Sequence, residues 1–274
     1  GVTINRACGS SQQALDFAVH AAMAGQCDVV VAGGVEVMSR VPLGAARGVG
    51  LPYGPRALAR YDNYSFNQGL SAELIADKWG LSRVDLDTYA ASSHERAAAA
   101  IDSGAFDEQL VTVDVVGGTF AADECLRRGS TVAVLGSLNP SFKDDGKVHA
   151  GNSSQISDGA AAVVMARRSV ADACGMGTQA LLVASSAHAH EPHLFTTAPV
   201  QAIKNVLAKA GWSVNDVDLF EVNEAFAVVP MIAMRELDIS RDRMNVNGGA
   251  TALGHPIGAS GARIIATLIG ALVA

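Results

Sequence analysis

Three short stretches carry side chains whose chemistry could be combined. The first is GVTINRACGSSQQAL (1–15), in which Cys8 stands between an extended segment and the start of a helical pattern. The free N–H groups and positive dipole end of a helix favour a thiolate. They can draw a thiol from a pKa of ~8.5 toward neutral. Gly9 lets a substrate carbonyl approach the backbone, whose N–H groups can stabilise an oxyanion. Cys8 fits a small buried hydrophobe equally well, which is the state of most free cysteines. The second stretch is NVNGGATALGHPIGASGAR (245–263), where glycines on both sides of His255 permit tight turns and Pro256 fixes the chain beyond it. A nucleophilic thiol needs a base near it in space, often distant in sequence, and His255 is the candidate. The third is VNEAFA (222–227). Asn223 can cap the following helix or aim its amide at a site, and Glu224 can orient Asn223 or a neighbouring loop.

Other candidates fall away. His188, His190 and His193 lie with Glu191 in HAHEPH (188–193), but Pro192 breaks any helix and the spacing matches no zinc pattern. The segment reads as a solvated loop, and no metal is expected. Cys27, Cys125 and Cys174 show no CxxC spacing and read as structural thiols in a reducing, cytoplasmic setting.

The elements that must position these residues follow an α/β pattern. Residues 2–5 read as a strand end, and 10–24 show apolar residues at helical spacing (Ala14, Phe17, Ala18, Ala21, Ala22). DVVVAGG (28–34) reads as a buried strand. Strand, helix and strand within about 30 residues predict a βαβ unit and a parallel sheet. From residue 39 the character changes: Pro, Gly, Tyr, Asn and charges rise, with helices predicted at 71–79 and 85–103. Excursions of this size are usually functional. Strands are predicted at 157–167, 180–185 and 218–222, a strand end at 244–249, and helices at 199–210, 225–236 and 260–274. The expected organisation is an N-terminal half from 1–38 and 156–177, an inserted loop domain at 39–155, and a C-terminal half at 178–274.

The totals agree with this. The 274 residues are 49% hydrophobic but only 5% aromatic, which suits small residues packing helices onto a sheet. A net charge of −7 without a basic stripe argues against nucleic acid. No apolar run reaches the roughly 20 residues that span a bilayer, so no membrane partner is expected. The chain lacks an initiator Met and stops inside the apolar pattern ARIIATLIGALVA (262–274), so it reads as a fragment of a longer chain.

Taken together, NRACGSSQQAL, GVEVMSR (34–40), AGNSSQISDGAAA (150–162), VNEAFA and NVNGGATALGHPIGASGAR resemble the thiolase family, the acetyl-CoA acyltransferases and acetyltransferases, in the family's order and along the whole chain. The resemblance implies a layered αβαβα sandwich of two similar halves with an inserted loop domain. It implies that Cys8 attacks the keto carbonyl of a 3-ketoacyl-CoA and that His255 activates the thiol. Asn223 would position a water that forms an oxyanion hole with His255, and the Cys8 N–H would contribute to a second. Ser154 would meet the pantetheine arm, Arg127 would lie near the nucleotide, and Phe195 and Phe226 would line the slot. Asn67 and Gln68 stand where biosynthetic members carry His-Met, which tilts the reading toward a degradative enzyme of broader chain range. Coenzyme A would be a co-substrate rather than a bound cofactor, and a homodimer or homotetramer is implied. The family's second catalytic cysteine, in a Cys-x-Gly segment beyond the histidine, has no counterpart here, so the chain as it stands is expected to fold poorly and to be inactive. Two alternatives are a non-catalytic acyl-CoA or lipid-binding relative and a ketoacyl synthase-type condensing enzyme. The joint presence of Cys8, Asn223 and His255 argues against the first, and the NEAF and GHP segments against the second.

Overall fold

A computed structural model describes residues 1–64 and 66–273. The chain enters as coil and makes one tight turn at Ala7–Gly9. It then forms helix α1 (Ser10–Met23) and strand β1 (Val29–Val37). The excursion that follows carries α2 (Pro55–Arg60), α3 (Gln68–Lys78), α4 (Arg83–Asp102), the hairpin β2 (Val113–Val115) with β3 (Gly118–Phe120), and α5 (Val132–Gly136). Strand β4 (Asp158–Ala166) and α6 (Arg168–Ala173) return the chain to the first half. The remainder forms α7 (Ala198–Ala210), α8 (Val228–Leu237), the short α9 (Ala250–Leu253) and α10 (Ser260–Val273). The predicted helices all appear within a few residues of their expected bounds. The last residue of the final one, Ala274, lies outside the described residues.

The strands correct the sequence reading. β1 and β4 pair antiparallel, from Val29 opposite Ala166 to Val37 opposite Asp158, rather than as a parallel βαβ unit. Residues 2–5 form no strand, so the helix α1 does not connect two paired strands. Residues 180–185 are likewise coil, with Leu181, Leu182 and Val183 exposed. Residues 218–222 and 244–249 meet in one parallel bridge, Phe220 to Met244. A strand is defined by its partner, and no described neighbour runs beside residues 2–5 or 180–185.

One face of the β1–β4 pair is covered by α1 and α10, which also pack on each other. Leu15, Ala18, Ala32 and Ala262 fill that small core. The close approach is sterically enforced. A Cβ on Gly261 would lie 2.5 Å from the Gln12 nitrogen, and one on Gly34 would lie 2.0 Å from the Gly258 oxygen. On the opposite face Val31 and Val35 are 69% and 65% exposed.

The larger core lies elsewhere, where α3, α4 and α8 enclose Ile75, Leu86, Tyr89, Phe226, Ile232 and Met244. Each such fully buried aliphatic chain contributes about 1.5–3 kcal/mol. Helix α4 is well started: the Ser82 hydroxyl accepts from the Asp85 N–H, while the Asp85 carboxylate accepts from the Ser82 N–H. This helix belongs to the excursion, yet it presses on the segments that carry Asn223 and His255.

Candidate active site

Cys8 occupies a backbone elbow. Ala7 is held at φ 47°, a left-handed conformation that a non-glycine residue adopts only under constraint. The constraint is visible. The Arg6 N–H donates to the Ser10 hydroxyl (2.8 Å), that hydroxyl donates to the Ala7 carbonyl (2.7 Å), and the Ala7 N–H donates to the Asn5 side chain (3.2 Å). The turn delivers the thiol to the first residues of α1 and aims the Cys8 N–H at its own sulfur.

His255 arrives from the other end of the chain. Its Nε2 lies 3.1 Å from Cys8 Sγ, and its Nδ1 lies 2.5 Å from Ser260 Oγ. The Ser260 hydroxyl donates its one proton to the Pro256 carbonyl at 3.0 Å. It must therefore accept from Nδ1–H, which leaves the Nε2 lone pair facing the thiol. Asn223 Nδ2 stands 3.3 Å from Nε2 and favours the same tautomer, while Asn223 Oδ1 is buried with no partner among the described residues. The His255 N–H donates to the Gln155 carbonyl at 3.1 Å.

The electrostatics differ from the sequence expectation. The helix terminus was expected to draw the Cys8 thiol down. Instead burial pushes it up, opposed by its backbone N–H and reinforced by the nearby Glu36 carboxylate. Burial also lowers His255 to about 4, with the positive charge of Arg263 acting in the same direction. Cys8 and His255 therefore rest as a neutral thiol and a neutral imidazole. An unprotonated imidazole in this position can accept the thiol proton.

Glu224 supports the assembly from below. It is fully buried and accepts from Tyr89 Oη (2.8 Å), Ser93 Oγ (2.7 Å), Asn245 Nδ2 (2.9 Å) and the Thr251 N–H (3.1 Å). One carboxylate thus joins α4, the Asn223 segment and the run that leads to His255. Of the expected orienting roles, Glu224 takes the one toward neighbouring segments.

The expected ligand residues are scattered around this centre. The Ser154 N–H donates to the Ala225 carbonyl (3.0 Å), which places it beside the Asn223 segment. Arg127 is exposed, and its N–H donates to His94 Nδ1 (3.3 Å). The Asn67 side-chain oxygen caps α3, accepting from Gly69 (2.9 Å) and Leu70 (3.1 Å). Phe195 is partly exposed, whereas Phe226 is buried edge-on against Phe142 in the large core. His188, His190, His193 and Glu191 include one pair, His193 Nε2 to Glu191 Oε2 at 3.5 Å. No group of three or more metal-ligating side chains converges among the described residues. No helix among the described residues is long and apolar enough to cross a membrane.

Two residues bonded to His255, Ser260 and Gln155, are absent from the sequence expectations. Ser260 carried a signal, since a serine opening a helix five residues after a candidate base can face it. Gln155 carried none, because its partners come from distant segments.

A profile described as the thiolase N-terminal domain matches residues 1–169, and one described as the thiolase C-terminal domain matches 176–274. The chain belongs to the thiolase family. Among curated thiolases, a steroid 3-ketoacyl-CoA thiolase of Mycobacterium tuberculosis is 41% identical, over 99% of this chain and 68% of that protein. An acetyl-CoA acetyltransferase of Escherichia coli is 40% identical, over 100% of this chain and 73% of that protein. The thiolase fold is equally plain. The dimeric peroxisomal thiolase of Saccharomyces cerevisiae superposes with a TM-score of 0.93 at 33% identity, covering 98% of this chain and 70% of the other. Human mitochondrial 3-ketoacyl-CoA thiolase in complex with CoA gives 0.89 at 36% identity, covering 100% and 71%.

Proposed function

We propose that the protein is an acyltransferase that cleaves 3-ketoacyl-CoA to acetyl-CoA and a shortened acyl-CoA, or runs the reverse Claisen condensation, through an acyl-Cys8 thioester. The observation that carries this is the 3.1 Å approach of His255 Nε2 to Cys8 Sγ, with Nδ1 held by Ser260, in a chain of the thiolase family. In the first half-reaction the Cys8 sulfur attacks the keto carbonyl and Nε2 takes the thiol proton. The oxyanion collapses, the bond between the α and β carbons breaks, and the two-carbon fragment leaves as acetyl-CoA after protonation. In the second half-reaction the thiol of free CoA attacks the acyl-Cys8 carbonyl and restores the cysteine. Asn223 and His255 hold a water against one oxyanion, and the Cys8 N–H serves the other.

In this reading CoA is a co-substrate, recognised by Ser154 along the pantetheine and by Arg127 near the nucleotide, with Phe195 and Phe226 lining its slot and Asn67 among the substrate-binding residues. The working state is a homo-oligomer, in line with the relative named as dimeric. The burial of the thiol favours one second reading, a protein that binds acyl-CoA without reacting. A single experiment separates the two. The full-length protein is exposed briefly to a 3-ketoacyl-CoA without free CoA and its intact mass is measured, with Cys8→Ser as control. An acyl adduct absent from the control is the expected result. CoA binding with no adduct would establish the binder and overturn the enzyme.

A further inference from the structure

Three chain segments converge behind His255, and one residue, Gln155, bonds to all of them. Gln155 Nε2 donates to the Cys125 carbonyl (2.6 Å) and to the Thr251 carbonyl (3.0 Å). Its main-chain carbonyl accepts from the His255 N–H (3.1 Å) and from the Ser157 hydroxyl (3.0 Å). Both side-chain amide hydrogens and both main-chain carbonyl lone pairs of this residue are therefore engaged. The joints they make are tight. Gly254, just before His255, has φ +87°, and a Cβ there would lie 2.2 Å from Ser157 Oγ and 2.8 Å from Cys125 Sγ. The His255 backbone thus rests directly on the surface that Gln155 holds together.

We propose that Gln155 is a positioning residue for the acyl transfer, fixing the His255 backbone so that Nε2 stays within reach of Cys8. The inference rests on the thiolase reading above and adds a residue to it. Ser260 and Asn223 orient the ring; Gln155 sets where the ring begins. A displacement of about 1 Å at a reacting pair can cost on the order of 100-fold. Without the amide, the Cys125 and Thr251 carbonyls lose their common donor and the His255 turn is free to draw back from α1.

The test uses Gln155→Met, which keeps length and volume but donates nothing, and Gln155→Asn, an amide too short to bridge both carbonyls. Two quantities are measured in the full-length protein: single-turnover acylation of Cys8 by a 3-ketoacyl-CoA, and alkylation of Cys8 by iodoacetamide as a function of pH. The second needs no acyl-CoA and so stands if the proposed substrate is wrong. Charged groups acting on the pair come from β1 (Glu36) and α10 (Arg263), and neither is altered. Expected for Gln155→Met is a 10- to 100-fold slower acylation with KM within about twofold, and a Cys8 alkylation midpoint moved to higher pH as the thiol loses its base. Gln155→Asn falls between the two. Unchanged acylation and midpoint in Gln155→Met would overturn the proposal. So would losses in both variants that merely follow the fraction of folded protein, measured by circular dichroism, with the midpoint unmoved.

Discussion

Removal of the Ser260 hydroxyl tests the orientation of the base most directly. In Ser260→Ala the buried Nδ1–H loses the acceptor now 2.5 Å away. An unpaired buried donor costs about 1–3 kcal/mol. The ring can avoid that cost by moving its proton to Nε2, but then an N–H faces Cys8 and no lone pair remains to take the thiol proton. Either route raises the acylation barrier by the same order, and each 1.36 kcal/mol is about tenfold. The bare range is roughly 5- to 150-fold. Asn223 Nδ2 at 3.3 Å still favours an unprotonated Nε2, so the expectation is near the middle, about 10- to 30-fold. Acylation followed by rapid quench and mass measurement reads this rate, and KM should stay within about twofold because the hydroxyl faces the imidazole rather than the cleft. A rate within twofold of the parent, or a loss carried wholly by KM, would refute the tautomer argument.

The neutral His255 sets the pH behaviour: with its value lowered to about 4, Cys8 reactivity should persist as pH falls through 6.5 and decline only near 4, which a pH–rate profile of iodoacetamide alkylation checks. The same lowering means that the unfolded chain binds the proton first, so stability is full above about 6.5 and is lost as pH falls toward 4, by about 3 kcal/mol; urea melts of the parent minus His255→Asn should show that difference. Glu224→Ala strands four buried donors and should cost at least about 3 kcal/mol in urea unfolding, a large share of a typical domain's stability. Gly34→Ala places a Cβ 2.0 Å from the Gly258 oxygen and should cost about 1–3 kcal/mol while slowing Cys8 alkylation, since β1 would push the His255 turn outward.

The trio that the fold brings together, Cys8, His255 and Asn223, is legible because each member sits in a stretch with a local signature: a cysteine before a helical pattern, a histidine among glycines, an asparagine between a strand-like run and a helix. The helices were legible for the same reason, since periodicity is local. Strand direction was not. β1 and β4 begin 129 positions apart, at Val29 and Asp158, which sit at opposite ends of the register, and nothing near either reveals that they run antiparallel. The Cys8 thiol was misread because the helix terminus could be seen in the sequence, whereas the burial and the Glu36 carboxylate that outweigh it could not. Gln155 was invisible for a related reason: the carbonyls it joins belong to Cys125 and Thr251, and only the fold makes them neighbours.

The paired side chains of Cys8 and His255 are separated by 247 positions. At a synthesis rate of about 5–20 residues per second, Cys8 is added to the chain roughly 10–50 s before His255. During that interval the nucleophile is an ordinary thiol with no partner to deprotonate it. The nascent thiol meets thioesters only with the reactivity of a free cysteine, and help from the imidazole begins when the closing segments dock. The pair is thus a product of the last stage of assembly, not of either segment alone.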